Sequence, residues 1–243
     1  MTFKYWLIAL IFLPFTLCQS KKADTSDDTK QDDDWIYLFG GADTDQWRGA
    51  GMDHFPESGW YISDGELLND GSSSGDLISK DQYSNFILEW EWRLFDVGGN
   101  SGLKYFVKED FGEEGDRVLG LEYQMLDDER HEWMLAGKMK PNDYHTTAAL
   151  YEFFEPAETK KLKPLGEFNH SKIISNGKHV EHWLNGVKVV EYERGGEDFL
   201  KMKKLSKFKN YPDFGLHEQG HLMLQDHQSK VGFRNIRIKL QDR

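Results

Sequence analysis

The most regular hydrophobic pattern of this chain alternates with a period of two. From Leu88 to Leu94, apolar Leu and Trp side chains at every second position alternate with Glu89, Glu91 and Arg93. A period of two is typical of a strand with one buried face and one face exposed to water. The segment therefore predicts a β-strand that borders a hydrophobic core.

Several other segments have the length and composition of strands, and turn sequences separate them. Asn185-Gly186 predicts a two-residue hairpin, because both positions accept a positive φ. A helix is expected over Glu197–Ser206, with a single helical turn near Asp128–Trp133. The further predicted strands are Leu103–Val107, Leu121–Leu126, Ser171–Ser175, Val180–Leu184, Val187–Tyr192, Leu222–His227 and Phe233–Ile238.

The order of these elements indicates the fold class. Many short strands with regular turns, and no strand–helix–strand rhythm, are typical of all-β proteins. We predict a single-domain antiparallel β-sandwich or jelly roll over residues 35–243, which is long enough for one sizeable core. Cys18 is the only cysteine, so a disulfide within the chain cannot stabilise this domain.

The N-terminus has a different composition. Lys4 precedes an apolar run from Tyr5 to Leu17, which is typical of a secretory signal and too short to span a bilayer. The run ends at Cys18, the position that is lipidated in bacterial lipoproteins, which this start resembles. We expect a signal peptide over residues 1–18, a lipid anchor on Cys18 and a location in the cell envelope. A secreted protein without lipid and an uncleaved anchor are the alternatives.

Residues 19–34 contain six Asp and three Lys and very little that can bury apolar surface. Such a segment is expected to be a disordered acidic tether. An acidic run directly after the cysteine also resembles the surface-export signal of some Bacteroidetes-type lipoproteins. The periplasm and the outer-membrane surface therefore both stay open as locations.

Charge and aromatic content indicate which classes of binding partner to expect. The formal net charge is −12, and an acidic protein repels phosphate backbones, so we do not expect a nucleic-acid partner. Eight Trp and ten Tyr suit a protein that stacks rings on sugars, although a β-sandwich core uses them equally well.

Polar residues on the predicted strand Leu121–Leu126 are candidates for a catalytic site. Glu122 and Gln124 share one face, and Asp127 follows at the strand end, where a bulge would turn it to the same side. Two carboxylates and an amide on one surface can act as acid, base and positioning group, but a solvated polar stripe looks the same. The spacing also resembles the Glu-x-Asp-x-x-Glu signature of laminarinase-type retaining glycosidases, with Gln and Asp at its second and third positions.

A second polar group lies near the C-terminus. Gln225 and His227 share one face of the predicted strand Leu222–His227, and Asp226 points to the other. An amide beside a titratable imidazole suits a cleft that handles sugars. A divalent metal held by His227 with Glu122 or Asp226 stays open.

The segment from His217 to His221 spells the zinc-protease motif H-E-x-x-H. That motif requires a helix that stacks its two histidines on one face. Gly215, Gly220 and a preceding proline disfavour a helix here, so we do not expect a zinc protease.

Read in chain order, nine groups of segments resemble one family. They are Leu38-Phe-Gly-Gly41 with Trp47, Trp60-x-Ile-x-Asp-Gly-Glu-Leu67, Tyr83-x-Asn-Phe-x-Leu-Glu-Trp-Glu-Trp-Arg93, Gly99-Asn-Ser-Gly102, Leu121-Glu-Tyr-Gln-Met-Leu-Asp127, Ala148-Ala-Leu-Tyr151, Gly166-Glu-Phe-Asn169, Leu184-Asn-Gly186, and Leu224-Gln-Asp-His227 with Phe233-Arg-Asn-Ile236. The chain is similar to the 3-keto-disaccharide hydrolases over essentially all of residues 35–243. The family usually has Gly where Ala148 stands and Trp where Phe168 stands.

The resemblance implies a concanavalin-like β-sandwich that cleaves glycosidic bonds of 3-keto-glycosides or 3-keto-disaccharides. A 3-keto group acidifies the hydrogen on C2, so a base can remove it, the substituent on C1 leaves and water adds afterwards. This path needs a base, an acid for the leaving oxygen, and donors or a metal ion for the enolate.

We expect Glu122 or His227 to be the base, and Asp127 to be the acid or a group that orients it. A non-catalytic sugar-binding module and a conventional retaining glycosidase remain as alternatives. The residues expected to bind substrate are Arg93, Asn100, Ser101, Gln124, Tyr151 and Gln225.

Overall fold

The computed structural model describes residues 1–2, 34–112 and 115–242. The expected signal peptide, the lipidated Cys18 and nearly all of the acidic tether lie outside these residues, so those expectations stay predictions. Among the described residues, no helix is long and apolar enough to cross a membrane.

Strands dominate the described part of the chain, and both helices are short. The strands are β1 (Trp35–Phe39), β2 (Trp47–Gly49), β3 (Trp60–Ser63), β4 (Glu66–Asn69), β5 (Leu77–Ser79), β6 (Phe86–Leu94), β7 (Asn100–Gly112), β8 (Gly115–Leu126), β9 (Asn169–Asn176), β10 (His179–Leu184), β11 (Val187–Glu193), β12 (His221–Leu224) and β13 (Val231–Leu240). The helices are α1 (Glu132–Leu135) and α2 (Glu197–Leu205).

The strands form two sheets, and the pairings described between neighbouring strands are antiparallel. The large sheet has the order β11-β10-β9-β6-β13-β4-β3, and β1 also pairs with β13. The small sheet has the order β2-β5-β12-β7-β8. This arrangement confirms the predicted antiparallel β-sandwich, and it places the C-terminal strand β13 between β4 and β6.

The core lies between the two sheets and follows the alternation in the sequence. On β6, Leu88, Trp90 and Trp92 are buried, as the period of two predicts. The opposite face of β6 carries Glu89 and Glu91, which form ion pairs with arginines of β13. The buried aromatic rings of this core fix how the small sheet sits over the large one.

The last strand of the small sheet, β8, is held by residues 146–151, which we call the strap. The strap lies along the outer edge of β8 and bonds to its backbone: Ala148 N–H donates to the Gln124 carbonyl (2.8 Å), and Tyr151 N–H donates to the Glu122 carbonyl (3.1 Å). Lys160 Nζ donates to Thr146 Oγ1 and to Asp128, both at 2.8 Å. The strap therefore fixes the part of β8 that carries Glu122 and Gln124.

Candidate active site

A cavity of about 180 Å³ opens on the face of the small sheet that points away from the core. The face follows from the register of β7 and β8, because the Leu103 and Tyr123 pair is in the core and the next pair, Lys104 and Glu122, lies on the opposite face. The cavity is lined by Asn100, Lys104, Leu119, Gly120, Glu122, Gln124, Tyr151, Lys207, Phe208, Gln225 and His227. The structure thus brings together six of the nine predicted site residues.

Gly102 allows the polar residues of β8 to meet the polar residues near the C-terminus. It lies opposite Gln124, and its carbonyl accepts a hydrogen bond from the Gln225 N–H (2.9 Å). A Cβ atom at this position would lie 2.8 Å from Glu122 Oε1 and 3.1 Å from Gln225 Oε1. A larger residue would push the ends of both side chains aside, so Gly102 shapes the floor of the cavity.

Among the residues that line this cavity, Glu122 is the one with a carboxylate side chain. Its side chain is 11% exposed, and Lys104 Nζ lies 4.0 Å from Glu122 Oε2. Burial raises the pKa of Glu122, and the positive charges of Lys104 and Lys207 oppose that rise without cancelling it. A carboxyl group with a raised pKa is a stronger base than an ordinary glutamate.

Two amide oxygens at the cavity lack partners. Asn100 Oδ1 and Gln225 Oε1 are buried, and neither has a hydrogen-bond partner among the described residues. Buried acceptors are nearly always satisfied in folded proteins, so these two are available for donors of a bound ligand. Sugar hydroxyls are donors of that kind.

The strap and the segment after α2 form the side of the cavity. Lys207 Nζ lies 4.4 Å from the centre of the Tyr151 ring. Burial, and then the charge of Glu122, raises the pKa of Tyr151, so the phenol keeps its proton as a hydrogen-bond donor. Gln124 is fixed against its own strand, because its Oε1 accepts from the Met125 N–H (2.8 Å).

Asp76 was missed by the sequence analysis. It directly precedes β5, and its carboxylate accepts from the Asp226 N–H (2.8 Å), next to His227. Burial raises the pKa of Asp76, while the charge of Lys104 opposes the rise. Asp226 itself accepts from Ser74 Oγ and Gly75 N–H at 3.2 Å. Asp76 and Asp226 therefore anchor the segment that presents Gln225 and His227.

Asp127 does not join Glu122. The register of β7 and β8 continues to Leu126 without the bulge that would have turned Asp127 toward the cavity. Its carboxylate instead accepts from the Gly98 N–H (2.9 Å) and pairs with Arg130 at 2.9 Å. The bulge expected at Asp127 is therefore absent, and this residue orders a loop outside the cavity.

Two predicted substrate-binding residues also lie elsewhere. Ser101 is fully buried on the core side of β7, and its Oγ donates to the Gln225 carbonyl (2.8 Å). Arg93 is on the outer face of the large sheet, where it pairs with Glu66 (2.6 Å) and lies over the Phe168 ring. Strand alternation gave the correct face for Arg93, but the sequence did not show that β6 belongs to the other sheet.

The cavity does not present the donor set of a typical metal site. In the described part of the chain, three potential donors of the His, Asp, Glu and Cys types come within 4.8 Å of one another only at His179, Glu181 and Glu191, on β10 and β11. Lys188 there pairs with both glutamates. His221 of the H-E-x-x-H sequence lies in strand β12. This agrees with the prediction that the segment is not a helix.

Comparisons with known proteins agree with this geometry. A family model described as a 3-keto-alpha-glucoside-1,2-lyase-like domain matches residues 34–239. A Bacteroides thetaiotaomicron protein named 3-keto-disaccharide hydrolase is 35% identical over 236 residues, which cover 86% of this chain and 79% of that protein.

Two solved structures from Parabacteroides distasonis, both assigned to the glycosyl hydrolases, share the fold. One has a TM-score of 0.76 and 33% identity, and the match covers 87% of this chain and 96% of that one. The other has a TM-score of 0.63 and 27% identity, and the match covers 85% of this chain and 99% of that one.

Proposed function

Because this chain belongs to the family of 3-keto-alpha-glucoside-1,2-lyase-like domains, we propose that it cleaves 3-keto-glycosides by elimination followed by hydration. Family membership and the glycosyl hydrolase relatives make it a glycoside hydrolase. The observation that carries the finer proposal is a single carboxylate, Glu122, in a small cavity that also holds Lys104 and His227.

Glu122 is the base in this proposal. The carboxylate takes the C2 proton of a bound 3-keto sugar, and the electron pair of that bond delocalises into the C3 carbonyl as an enolate. A raised pKa suits this task, because a base removes a weakly acidic C–H proton better when its own pKa is higher. Lys104, beside Glu122, is placed to stabilise the negative charge of the enolate.

His227 is the acid in this proposal. It lies at the exposed side of the cavity, where the leaving group of a glycoside would emerge. The enolate electrons form the C1–C2 double bond, the C1–O bond breaks, and the leaving oxygen takes a proton from the imidazole. Water then adds its oxygen to C1 while C2 regains a proton, so the overall reaction is hydrolysis.

The conventional retaining mechanism is less consistent with this site. It requires two carboxyl groups about 5–5.5 Å apart across the scissile bond. Glu122 is the carboxylate in the cavity lining, and the expected partner, Asp127, pairs with Arg130 outside it. Elimination needs one base and no matched pair of carboxylates, so it suits a cavity lined by Glu122, while the nearby Asp76 accepts a hydrogen bond from the Asp226 N–H.

The test compares a methyl 3-keto-α-glucoside with unoxidised methyl α-glucoside, each with and without a chelator. We expect turnover of the 3-keto substrate only. Glu122→Gln should lower kcat/KM by about 1,000-fold and His227→Ala by about 100-fold. Asp127→Asn is the matched control, and it should keep activity near that of the wild type.

Some outcomes would contradict the proposal. Turnover of the unoxidised glucoside with equal efficiency would favour a conventional glycosidase. Saturable sugar binding without turnover of either compound would favour a binding module. Loss of activity with the chelator would show that a metal ion takes part.

A further inference from the structure

Helix α1 carries an exposed tryptophan that the core does not use. None of its four residues, Glu132 to Leu135, is buried. Trp133 is 39% exposed, and its ring is perpendicular to the ring of His145, with the centroids 5.6 Å apart. A large aromatic ring held in place by another ring, with part of its surface open to water, is a typical surface for ligand binding.

A short series of rings connects Trp133 to the cavity. The His145 ring lies 5.1 Å from the ring of Tyr151, which lines the cavity wall. His145 is itself fixed, because Asp143 Oδ1 lies 2.8 Å from its Nδ1 and Glu152 Oε1 lies 3.4 Å from its Nε2. Trp133 is therefore anchored about two ring contacts away from the proposed reaction site.

The N-terminal side of α1 is also close to the proposed acid. His131 caps α1, and its side chain accepts from the Trp133 N–H (3.3 Å). Burial lowers the pKa of His131, the charge of Glu132 opposes this shift, and the charge of His227 adds to it. Helix α1 thus lies within electrostatic reach of His227, where the leaving group would emerge.

The size of the cavity requires a second surface for a disaccharide. Its volume of about 180 Å³ is below the roughly 300–1,000 Å³ of pockets that enclose drug-sized ligands, which suits one sugar ring. The second ring of a disaccharide must then lie outside the mouth. The carbon-bound hydrogens of a pyranose form an apolar face that packs on an indole ring.

We propose that Trp133 is the stacking platform for the leaving sugar of a 3-keto-disaccharide. The inference rests on the proposed function, and it adds that the enzyme distinguishes a sugar leaving group from a small one. The indole holds the departing hexose beside His227, so that the leaving oxygen stays close to its proton donor.

The experiment measures kcat/KM on a 3-keto-disaccharide and on methyl 3-keto-α-glucoside. Trp133→Ala should lower kcat/KM on the disaccharide by about tenfold, mainly through KM, and change the value for the methyl glycoside less than about twofold. Trp133→Phe should fall between wild type and Trp133→Ala on the disaccharide. Leu135→Ala, on the same helix and 72% exposed, is the control and should match wild type on both.

The outcomes separate the two proposals. If the wild type turns over neither substrate, the proposed function fails, and the platform fails with it. If the wild type turns over both and Trp133→Ala matches it on the disaccharide, only the platform is wrong. Equal losses on both substrates would also overturn the platform, because Trp133 would then act on the cavity itself.

Discussion

Gly102 leaves space for two polar side chains of the site, so we expect a larger residue at this position to reduce activity. In Gly102→Ala the new methyl group would displace Glu122 and Gln225 from the cavity floor. A displacement of about 1 Å at a catalytic group can cost roughly 100-fold, so we expect kcat/KM to fall by about that factor. Steady-state kinetics on a 3-keto-glucoside measures the loss.

Gly40→Ala is the matched control for Gly102→Ala. The nearest neighbours of a Cβ atom at Gly40 are atoms of the Tyr37 side chain, at ordinary contact distances from 3.7 Å. Its activity and melting temperature should stay near those of the wild type. An active Gly102→Ala enzyme would mean that Glu122 does not need its present position.

The buried charge of Glu122 should reduce stability. Its pKa is raised by burial in the folded protein, so the folded state favours the protonated form. The stability that this preference contributes is present at low pH and is lost as the pH rises through the raised pKa. Glu122→Gln, which is always neutral, should therefore unfold at a temperature a few degrees higher than wild type at pH 8.

Urea or thermal unfolding at pH 8 and pH 4 tests this prediction. The advantage of Glu122→Gln should shrink toward pH 4, where the wild-type carboxyl group is mostly protonated in both states. In the wild type, the loss of kcat/KM at acidic pH should occur above the usual glutamate range, because the base must be deprotonated to act. A variant less stable than wild type at pH 8 would contradict the assignment.

At the scale of elements, the strap determines the position of β8. Thr147 Oγ1 accepts from the Leu126 N–H and donates to the Leu126 carbonyl, both at 2.8 Å. Thr147→Val keeps the shape and removes both bonds, which leaves two buried backbone groups unpaired. We expect a loss of about 2 kcal/mol in the free energy of unfolding, measured by urea denaturation.

Thr147→Ser separates the hydroxyl from the methyl group. It retains both hydrogen bonds, so it should lose less stability than Thr147→Val. Equal losses in the two variants would show that packing, and not the hydroxyl, holds the strap at this point.

The strap contains Ala148, a position at which this chain differs from the family. Ala148 has a φ of 67°, in the region that favours glycine, and the family usually has glycine there. The strain is retained because its N–H donates to Gln124 and its carbonyl lies 3.0 Å from His182 Nδ1. The methyl group is fully buried, so its packing offsets part of that strain.

Sequence patterns predicted the long strands and missed most of the short ones, two of them for a clear physical reason. β6 has one buried face and one face of charged residues, so it alternates and was recognised. Glu66–Asn69 and Leu77–Ser79 are buried along their whole length, so they show no alternation to detect.

Much of the site was predictable where polar residues interrupt an apolar strand. Glu122, Gln124, Gln225 and His227 stood out for that reason, although β12 ends at Leu224 and the last two lie beyond it. Lys104 became visible only through the register of β7 with β8. Asp76 and Lys207 come from distant loops, and a pattern along one segment cannot show which loops meet in space.

At the scale of the whole molecule, a buried histidine links stability to pH. His182 is fully buried, with Nε2 2.7 Å from the Tyr105 hydroxyl, and burial lowers its pKa to about 4. The unfolded chain binds the proton near pH 6.5, so stability falls as the pH drops from about 6.5 toward 4. The contribution of this one group is about 3 kcal/mol when the drop is complete.

Urea unfolding at several pH values between 7 and 4.5 measures this dependence. Other groups titrate in the same range, so the comparison is with His182→Gln, which cannot gain the charge. The variant starts less stable, because the Tyr105 hydroxyl loses one of its two partners and the Ala148 carbonyl loses its hydrogen bond to the imidazole, but its stability should fall less steeply with acid. Parallel slopes would exclude His182 as the source.

The position of the strap has one more consequence. The outermost strand of a sheet offers free backbone donors and acceptors to any other extended chain, and it is a common starting point for aggregation. Residues 146–151 occupy part of that edge on β8. Substitutions that loosen them should therefore produce soluble oligomers or precipitate before the sandwich itself unfolds, and light scattering during gentle heating would reveal this first.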